Sequence, residues 1–287
     1  MMHTTKDYFN FDQCQSCELV FLNPRLSEKD LKKYYTPYYL PYRGSSAWGK
    51  FKPLVEKSQQ KLDSKKYEIV KTFCELSKTS TLLDIGCGKP TFLKKCVEKT
   101  NCKAIGVDFS DNGWKDNINN FQNIDLQVNE VNHLNKDINP DIITMWHYLE
   151  HDYAPQETLK HLKAISKTST TLIIEVPNFD SHSRRKFGEH WAAWHTPRHT
   201  SLFSPNNITT LLEQSGWKVK QVLPFGSMDA YLLYWMSRME QKQIQWDKSL
   251  EGEFFGFVLG LLSFSPLKLK EKKESLGIMT VIATPIA

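Results

Sequence analysis

Cysteine is scarce in this chain, with six in 287 residues. They stand at positions 14, 17, 74, 87, 96 and 102. That scatter excludes the dense disulfide framework of small secreted domains and points to a reducing, cytoplasmic compartment. No basic amino-terminal stretch runs into an apolar core, so no secretion signal is expected. No apolar run reaches the ~20 residues that cross a bilayer. Charge of one sign does not dominate either. The formal net charge is +5, carried by dispersed lysines, which permits an anionic substrate without selecting nucleic acid. Internal repeats and low-complexity tracts are missing. A chain that is 40% hydrophobic and 24% charged is globular in composition, and its length suits one large α/β domain with additions or two small domains.

One absence is more pointed. After the apolar run Thr81–Ile85 the chain reads Gly86-Cys87-Gly88-Lys89-Pro90-Thr91-Phe92, without the third glycine of a G-x-G-x-x-G loop. Pro90 brings no N–H, so a pyrophosphate finds a poor cradle here. A nucleoside without phosphates needs none. Gly86 and Gly88 lack a Cβ and admit close approach of a ligand to the backbone. A second apolar run, Ala104–Val107, ends at Asp108, about 20 residues beyond the glycines, where nucleotide-binding α/β domains hold ribose hydroxyls. A plain strand-to-helix glycine turn, with Asp108 capping the next helix, remains the alternative.

Seven segments read as strands: Thr81–Ile85, Lys103–Asp108, Ile124–Val128, Asp141–Trp146, Thr171–Val176, Trp217–Leu223 and Ile278–Thr284. The first five are short, rich in Ile, Leu and Val, and alternate with helical stretches, the pattern of a parallel sheet covered on both faces. Val55, Leu62, Ile69, Phe73 and Leu76 fall near one face of a long helix before them. Ser204-Pro205 opens a later helix and Gly216 closes it.

The segment Thr81–Gly88 resembles motif I of class I methyltransferases, hydrophobic-D-x-G-C-G-x-G, with Pro90 standing where the third glycine is common. Leu149-Glu150-His151 follows the fourth strand. Glu175-Val-Pro-Asn-Phe-Asp-Ser181, Phe187-Gly188, Trp191, Pro197-Arg198-His199 and Phe203-Ser204 then come in the order of a broad methyltransferase family that includes sugar and glycan methyltransferases. The likeness runs from the helix before Thr81 to Phe225. It implies a Rossmann-like α/β fold: a seven-stranded sheet of order 3-2-1-4-5-7-6, the last strand antiparallel, with helices on both faces. It also implies S-adenosyl-L-methionine as cofactor. Asp84 would meet the ammonium group, and the loop Gly86, Cys87 and Gly88 would lie under the methionine part. Asp108 would accept the ribose hydroxyls, with Phe109 beside the adenine and Glu130 near the adenine amino group. Trp146 and His147 would wall the methionine side.

The resemblance implies methylation of a sugar or glycan hydroxyl by in-line transfer, which requires an aligned acceptor and a base. An imidazole suits that base near neutral pH. His151 ranks first, His199 second and His195 third, each with a structural hydrogen-bonding role as the alternative. A small aromatic, quinone or lipid acceptor is the competing enzyme reading, and a non-catalytic S-adenosylmethionine-binding protein of the same fold is another. No nucleic-acid partner is expected, since neither an RNA-binding module nor an Asn-Pro-Pro-Tyr-type motif occurs.

Residues 1–54 read as an aromatic-rich extension and 55–287 as the methyltransferase domain, with an insertion at about 227–276. The run Cys14-x-x-Cys17 to Arg25, with Tyr34-Tyr35 and Tyr38-Tyr39, resembles the leader of sugar methyltransferases whose zinc ribbon carries two cysteine pairs. Here there is one pair, and His3 is the one nearby histidine, so the four ligands of a closed zinc site are not assembled and no metal is expected. Trp191, Trp194 and the tyrosines near 38 suit stacking on a sugar or ordinary packing. Arg184, Arg185 and Lys186 suit a phosphate or a solvated surface. Phe254–Phe264 followed by Lys268, Lys270, Lys272 and Lys273 suits peripheral membrane contact through 254–273, a lid, or a dimer surface. The oligomeric state is not legible in the chain.

Overall fold

Ten strands and six helices of ten residues or more, with shorter helical turns between them, form the regular structure of the described residues. The strands are β1 (Phe11–Gln13), β2 (Val20–Leu22), β3 (Thr81–Ile85), β4 (Lys103–Asp108), β5 (Ile124–Val128), β6 (Ile142–Trp146), β7 (Thr171–Pro177), β8 (Ser201–Leu202), β9 (Trp217–Leu223) and β10 (Ile278–Pro285). The helices are α1 (Lys52–Phe73), α2 (Thr91–Thr100), α3 (Pro155–Ala164), α4 (Pro205–Gln214), α5 (Ala230–Gln241) and α6 (Phe254–Lys268). The computed structural model describes residues 7–35 and 40–286, with only the backbone at 41 and 42. His3, Tyr38 and Tyr39 lie outside the described residues. The chain divides into two units, one of residues 61–176, 205–223 and 279–287, the other of 1–60, 177–204 and 224–278.

The first unit is built on a seven-stranded sheet of order β5-β4-β3-β6-β7-β10-β9. Five strands run parallel, and β10 lies antiparallel to β9. In order of appearance this is 3-2-1-4-5-7-6, the arrangement the methyltransferase resemblance implies. The central strands β3, β6 and β7 are buried along nearly their whole length, which explains why they read as unbroken apolar runs instead of alternating ones. Val70 of α1 and Phe92, Leu93 and Cys96 of α2 pack with Leu82, Ala104, Ile142 and Trp146 into one core. Trp217 is fully buried and its indole N–H donates to the Leu159 carbonyl at 2.9 Å, tying β9 to α3. Just before β6, the Asp141 carboxylate accepts from the Thr81 N–H at 2.8 Å and from Lys167 Nζ at 2.6 Å.

The second unit carries a three-stranded sheet with β2 between β1 and β8, both pairings antiparallel. The amino-terminal extension therefore folds together with the segment after β7 and with the insertion. One core gathers Trp48, Tyr231, Trp235, Met239, Trp246 and Phe264. Another gathers Val20, Phe187, Trp191, Leu202 and Leu233.

Candidate active site

Parallel strands bring their carboxyl ends to one edge, and the turns after β3, β4, β5 and β6 gather there. The glycine turn is pinned by hydrogen bonds from the Gly86 and Cys87 N–H groups to the Val107 carbonyl, 2.8 and 3.1 Å. Gly86 and Gly88 both take left-handed φ, +69° and +49°. A Cβ on Gly86 would stand 2.6 Å from Cδ2 of Tyr148, whereas one on Gly88 would meet open space. Tyr148 thus lids one glycine and leaves the other accessible. Cys87 contributes backbone alone: its sulfur lies in the core near Gly106, and burial drives its thiol pKa upward.

Asp108 closes β4 beside this turn. Its Oδ2 accepts from the Gly88 N–H at 2.9 Å and its Oδ1 from the Ser110 N–H at 3.2 Å. Burial raises its pKa, opposed by those backbone donors. A carboxylate has about four acceptor sites, so room for a further donor remains. Phe109 follows with its ring 63% exposed. The Asn129 N–H donates to the Asp108 carbonyl at 3.0 Å and brings the next turn to the same edge. There Glu130 is exposed, 3.8 Å from the His133 imidazole.

Asp84 and Thr144 are register partners on β3 and β6, so both side chains stand on one face. The Thr144 hydroxyl donates to Asp84 Oδ1 at 2.6 Å. Burial pushes the Asp84 carboxyl up to about 7, with Lys66 and the Thr144 bond opposing and Asp108 and Asp63 adding to it. Lys66, projecting from α1, places Nζ 5.3 Å from the centroid of Trp146 and 5.8 Å from that of Phe92. The Trp146 indole N–H is buried and has no hydrogen-bond partner among the described residues.

His147 leaves β6 with a left-handed φ of +54°. Its Nε2 lies 3.0 Å from Glu175 Oε1 and its Nδ1 3.4 Å from Glu150 Oε1. Burial works against a charge on this ring, yet the two carboxylates outweigh it and raise its pKa to about 9. Both nitrogens are therefore donors at neutral pH, and His147 is a fixed cation between two buried acids. His151 ends the short turn Leu149–His151, its N–H on the Tyr148 carbonyl at 2.9 Å, and is half-buried.

In the second unit the structure brings His195 and His199 together. Arg198 is fully buried, and its Nε–H donates to His195 Nε2 at 3.1 Å. Since that nitrogen must accept, the proton of His195 sits on Nδ1 and points at His199 Nε2, 3.1 Å away. His199 then carries its proton on Nδ1, directed at the Ala193 carbonyl at 2.7 Å. Both rings are neutral, and all four ring nitrogens are engaged. Trp191 is buried with its N–H on Ser183 Oγ, and Trp194 donates to the Gly188 carbonyl, so both serve packing. Arg184 stacks on Phe179, Arg185 pairs with Glu274, and Lys186 donates to the Tyr234 hydroxyl.

The family described as "Methyltransferase domain" matches residues 56–222, more than half of the chain. The chain belongs to that family. It matches no curated protein in sequence. Among solved structures, this methyltransferase-domain protein is similar to Haemonchus contortus phosphoethanolamine N-methyltransferase 2 in complex with S-adenosyl-L-methionine, at 15% identity and a TM-score of 0.58, over 93% of this chain and 62% of that one. It is similar to geranyl diphosphate methyltransferase in complex with S-adenosylmethionine, at 11% identity and a TM-score of 0.52, over 78% and 85%. The [4+2]-cyclase SpnF also shares the fold, at 13% identity and a TM-score of 0.52, over 79% and 82%.

S-adenosylmethionine is the cofactor to which this family and fold point, and the residues present fit it. The open side of Gly88, the Asp108 carboxylate, the exposed Phe109 and the buried Trp146 N–H all lie in one unit, on the turns of one sheet edge or the strands that lead to them. Four contributors escape a reading of the sequence. Tyr148, Lys66 and Glu175 act across gaps that no local pattern reveals. Gly113 is the fourth: a Cβ there would stand 2.1 Å from the Gly88 carbonyl oxygen.

Proposed function

We propose that this protein transfers a methyl group from S-adenosylmethionine to a hydroxyl of a sugar or glycan intermediate. The observation that carries the reading is the pair of carboxylates on adjacent strands, Asp84 buried and Asp108 half-buried, beside the accessible Gly88. The turn lacks the third glycine and Pro90 brings no N–H for a pyrophosphate, whereas an ammonium and a ribose diol are suited to the two carboxylates. When bound, the cofactor supplies a methyl group already activated on a sulfonium. Asp84 holds the ammonium, Lys66 and the Trp146 N–H offer donors to the carboxylate, Asp108 takes the ribose hydroxyls, and Phe109 covers the adenine. Glu130 is placed to reach the adenine amino group.

His151 is the proposed base. His147 is held protonated by Glu150 and Glu175 and has no lone pair to offer. His195 Nε2 accepts from Arg198 and His199 Nε2 accepts from His195, so their lone pairs are engaged, which supports a positioning role for them over that of the base. The glycan acceptor rests on the order of the motifs from Leu149-Glu150-His151 to Pro197-Arg198-His199. A labelled-methyl assay against nucleotide sugars and extracted glycolipids, with mass mapping of the product, tests it. His151→Ala is expected to lower kcat by roughly a hundredfold or more with cofactor affinity unchanged. Unimpaired turnover removes His151 from the role, and label on aromatic or quinone acceptors alone overturns the glycan reading.

A further inference from the structure

Helix α6 has no charged residue between Phe254 and Leu267. Its inner face, Phe254, Phe257, Leu261, Phe264 and Leu267, packs into the aromatic core around Trp48 and Trp235. Its outer face is also apolar. Phe255, Leu259 and Leu262 are 67, 66 and 66% exposed, Val258 is 37% exposed, and Leu269 just beyond the helix is 85% exposed. The spacing i, i+3, i+4, i+7 aligns the first four in one stripe. Ser263 and Ser265 are exposed, but their hydroxyls donate to the helix's own carbonyls at Gly260 and Leu261, 2.9 and 3.2 Å away. A surface helix ordinarily turns charge toward water, so an outer face without any is made for another phase.

The charges at its carboxyl end select the phase. Glu251 is engaged by Lys50, Asp229 by Lys268, and Glu274 by Arg185. Lys270, Lys272 and Lys273 remain exposed, flanking the exposed Leu269. At about 1.5 Å per residue the helix is roughly 22 Å long, short of the ~30 Å hydrocarbon core, and no helix among the described residues is long and apolar enough to cross a membrane. We infer that α6 lies in the plane of a bilayer of anionic lipids, with the Phe255–Leu262 stripe among the acyl chains and Lys270, Lys272 and Lys273 on the headgroups. This inference stands independently of the methyl-transfer reading.

Flotation of the full chain with vesicles of phosphatidylglycerol and phosphatidylcholine in equal parts, and with pure phosphatidylcholine, tests it. Retention is expected on the anionic vesicles and is lost in Leu259→Ser/Leu262→Ser. It weakens about fivefold for each lysine neutralised among K270Q, K272Q and K273Q. Because those side chains face outward, the melting temperature of each variant stays at the wild-type value, which separates lost binding from lost folding. No retention on anionic vesicles overturns the inference. Retention indifferent to the serine pair also overturns it. A dimer by light scattering that the serine pair dissociates, without vesicle binding, assigns the stripe to a second copy and overturns it too.

Discussion

Gly86 and Gly88 make a matched pair for separating backbone from space. Both take left-handed φ, which costs an L-residue about 1–2 kcal/mol. Only Gly86 adds a clash, with Tyr148 at 2.6 Å. Gly86→Ala is therefore expected to lower the melting temperature more than Gly88→Ala. Gly88→Ala, filling the accessible side, lowers cofactor affinity at a smaller loss of stability. Equal effects on both properties from the two variants would contradict the assigned lid and opening.

Asp84 and His147 carry the pH dependence. Burial first, with the nearby acids, raises Asp84 to about 7 in the folded protein, above the ordinary carboxylate value of about 3.9. Its contribution to stability is thus fully present below about pH 4 and lost as pH rises through about 7. Without ligand, thermal stability is expected to fall across that window by less in Asp84→Asn than in wild type. Cofactor affinity runs the other way, strengthening as pH rises through about 7, because the ammonium is met by the ionised acid. His147 is also raised, to about 9, so its contribution is complete below about pH 6.5 and is lost as pH rises through about 9. In Glu175→Gln, imidazole NMR should place the His147 titration well below the wild-type value; an unchanged titration would mean that Glu175 does not hold the proton.

At the scale of elements, the central strands of the large sheet were legible because parallel strands buried on both faces consist largely of apolar residues. Ile173, in the middle of β7, is fully buried. Ile173→Ala should cost about 2–5 kcal/mol in chemical denaturation, and a cost below about 1 kcal/mol would mean that β7 is not central. The small sheet was not legible, since strands of three, three and two residues are too short to show a period. Of the candidate site, the glycine turn and Asp108 could be read from spacing along one stretch of chain, and Asp84 from the resemblance to motif I. The state of His147 could not, because it depends on Glu175, 28 residues away. The His195–His199 relay likewise depends on the left-handed φ of +39° at His195, which no residue type announces.

At the scale of the molecule, the second unit crosses the chain three times. The amino-terminal extension supplies β1 and β2 to the small sheet and Ala47 and Trp48 to the core around Trp235. Trp48 lies 5.3 Å from Trp235, ring centroid to ring centroid. A chain begun at residue 55 exposes Trp235 and Trp246 and is expected to aggregate or to lose its near-ultraviolet circular dichroism. A soluble truncated chain with native tryptophan signals would show that these cores close without the extension.

The central claim is that the buried Asp84 on β3 and the half-buried Asp108 on β4 receive an adenosyl sulfonium. Calorimetric titration of wild type and Asp108→Asn with S-adenosylmethionine tests it most directly. The predicted result is one site per chain, weakened by roughly tenfold to a hundredfold in Asp108→Asn through loss of charge-assisted hydrogen bonds to the ribose. No heat at millimolar ligand, or equal affinity in the two proteins, would contradict it.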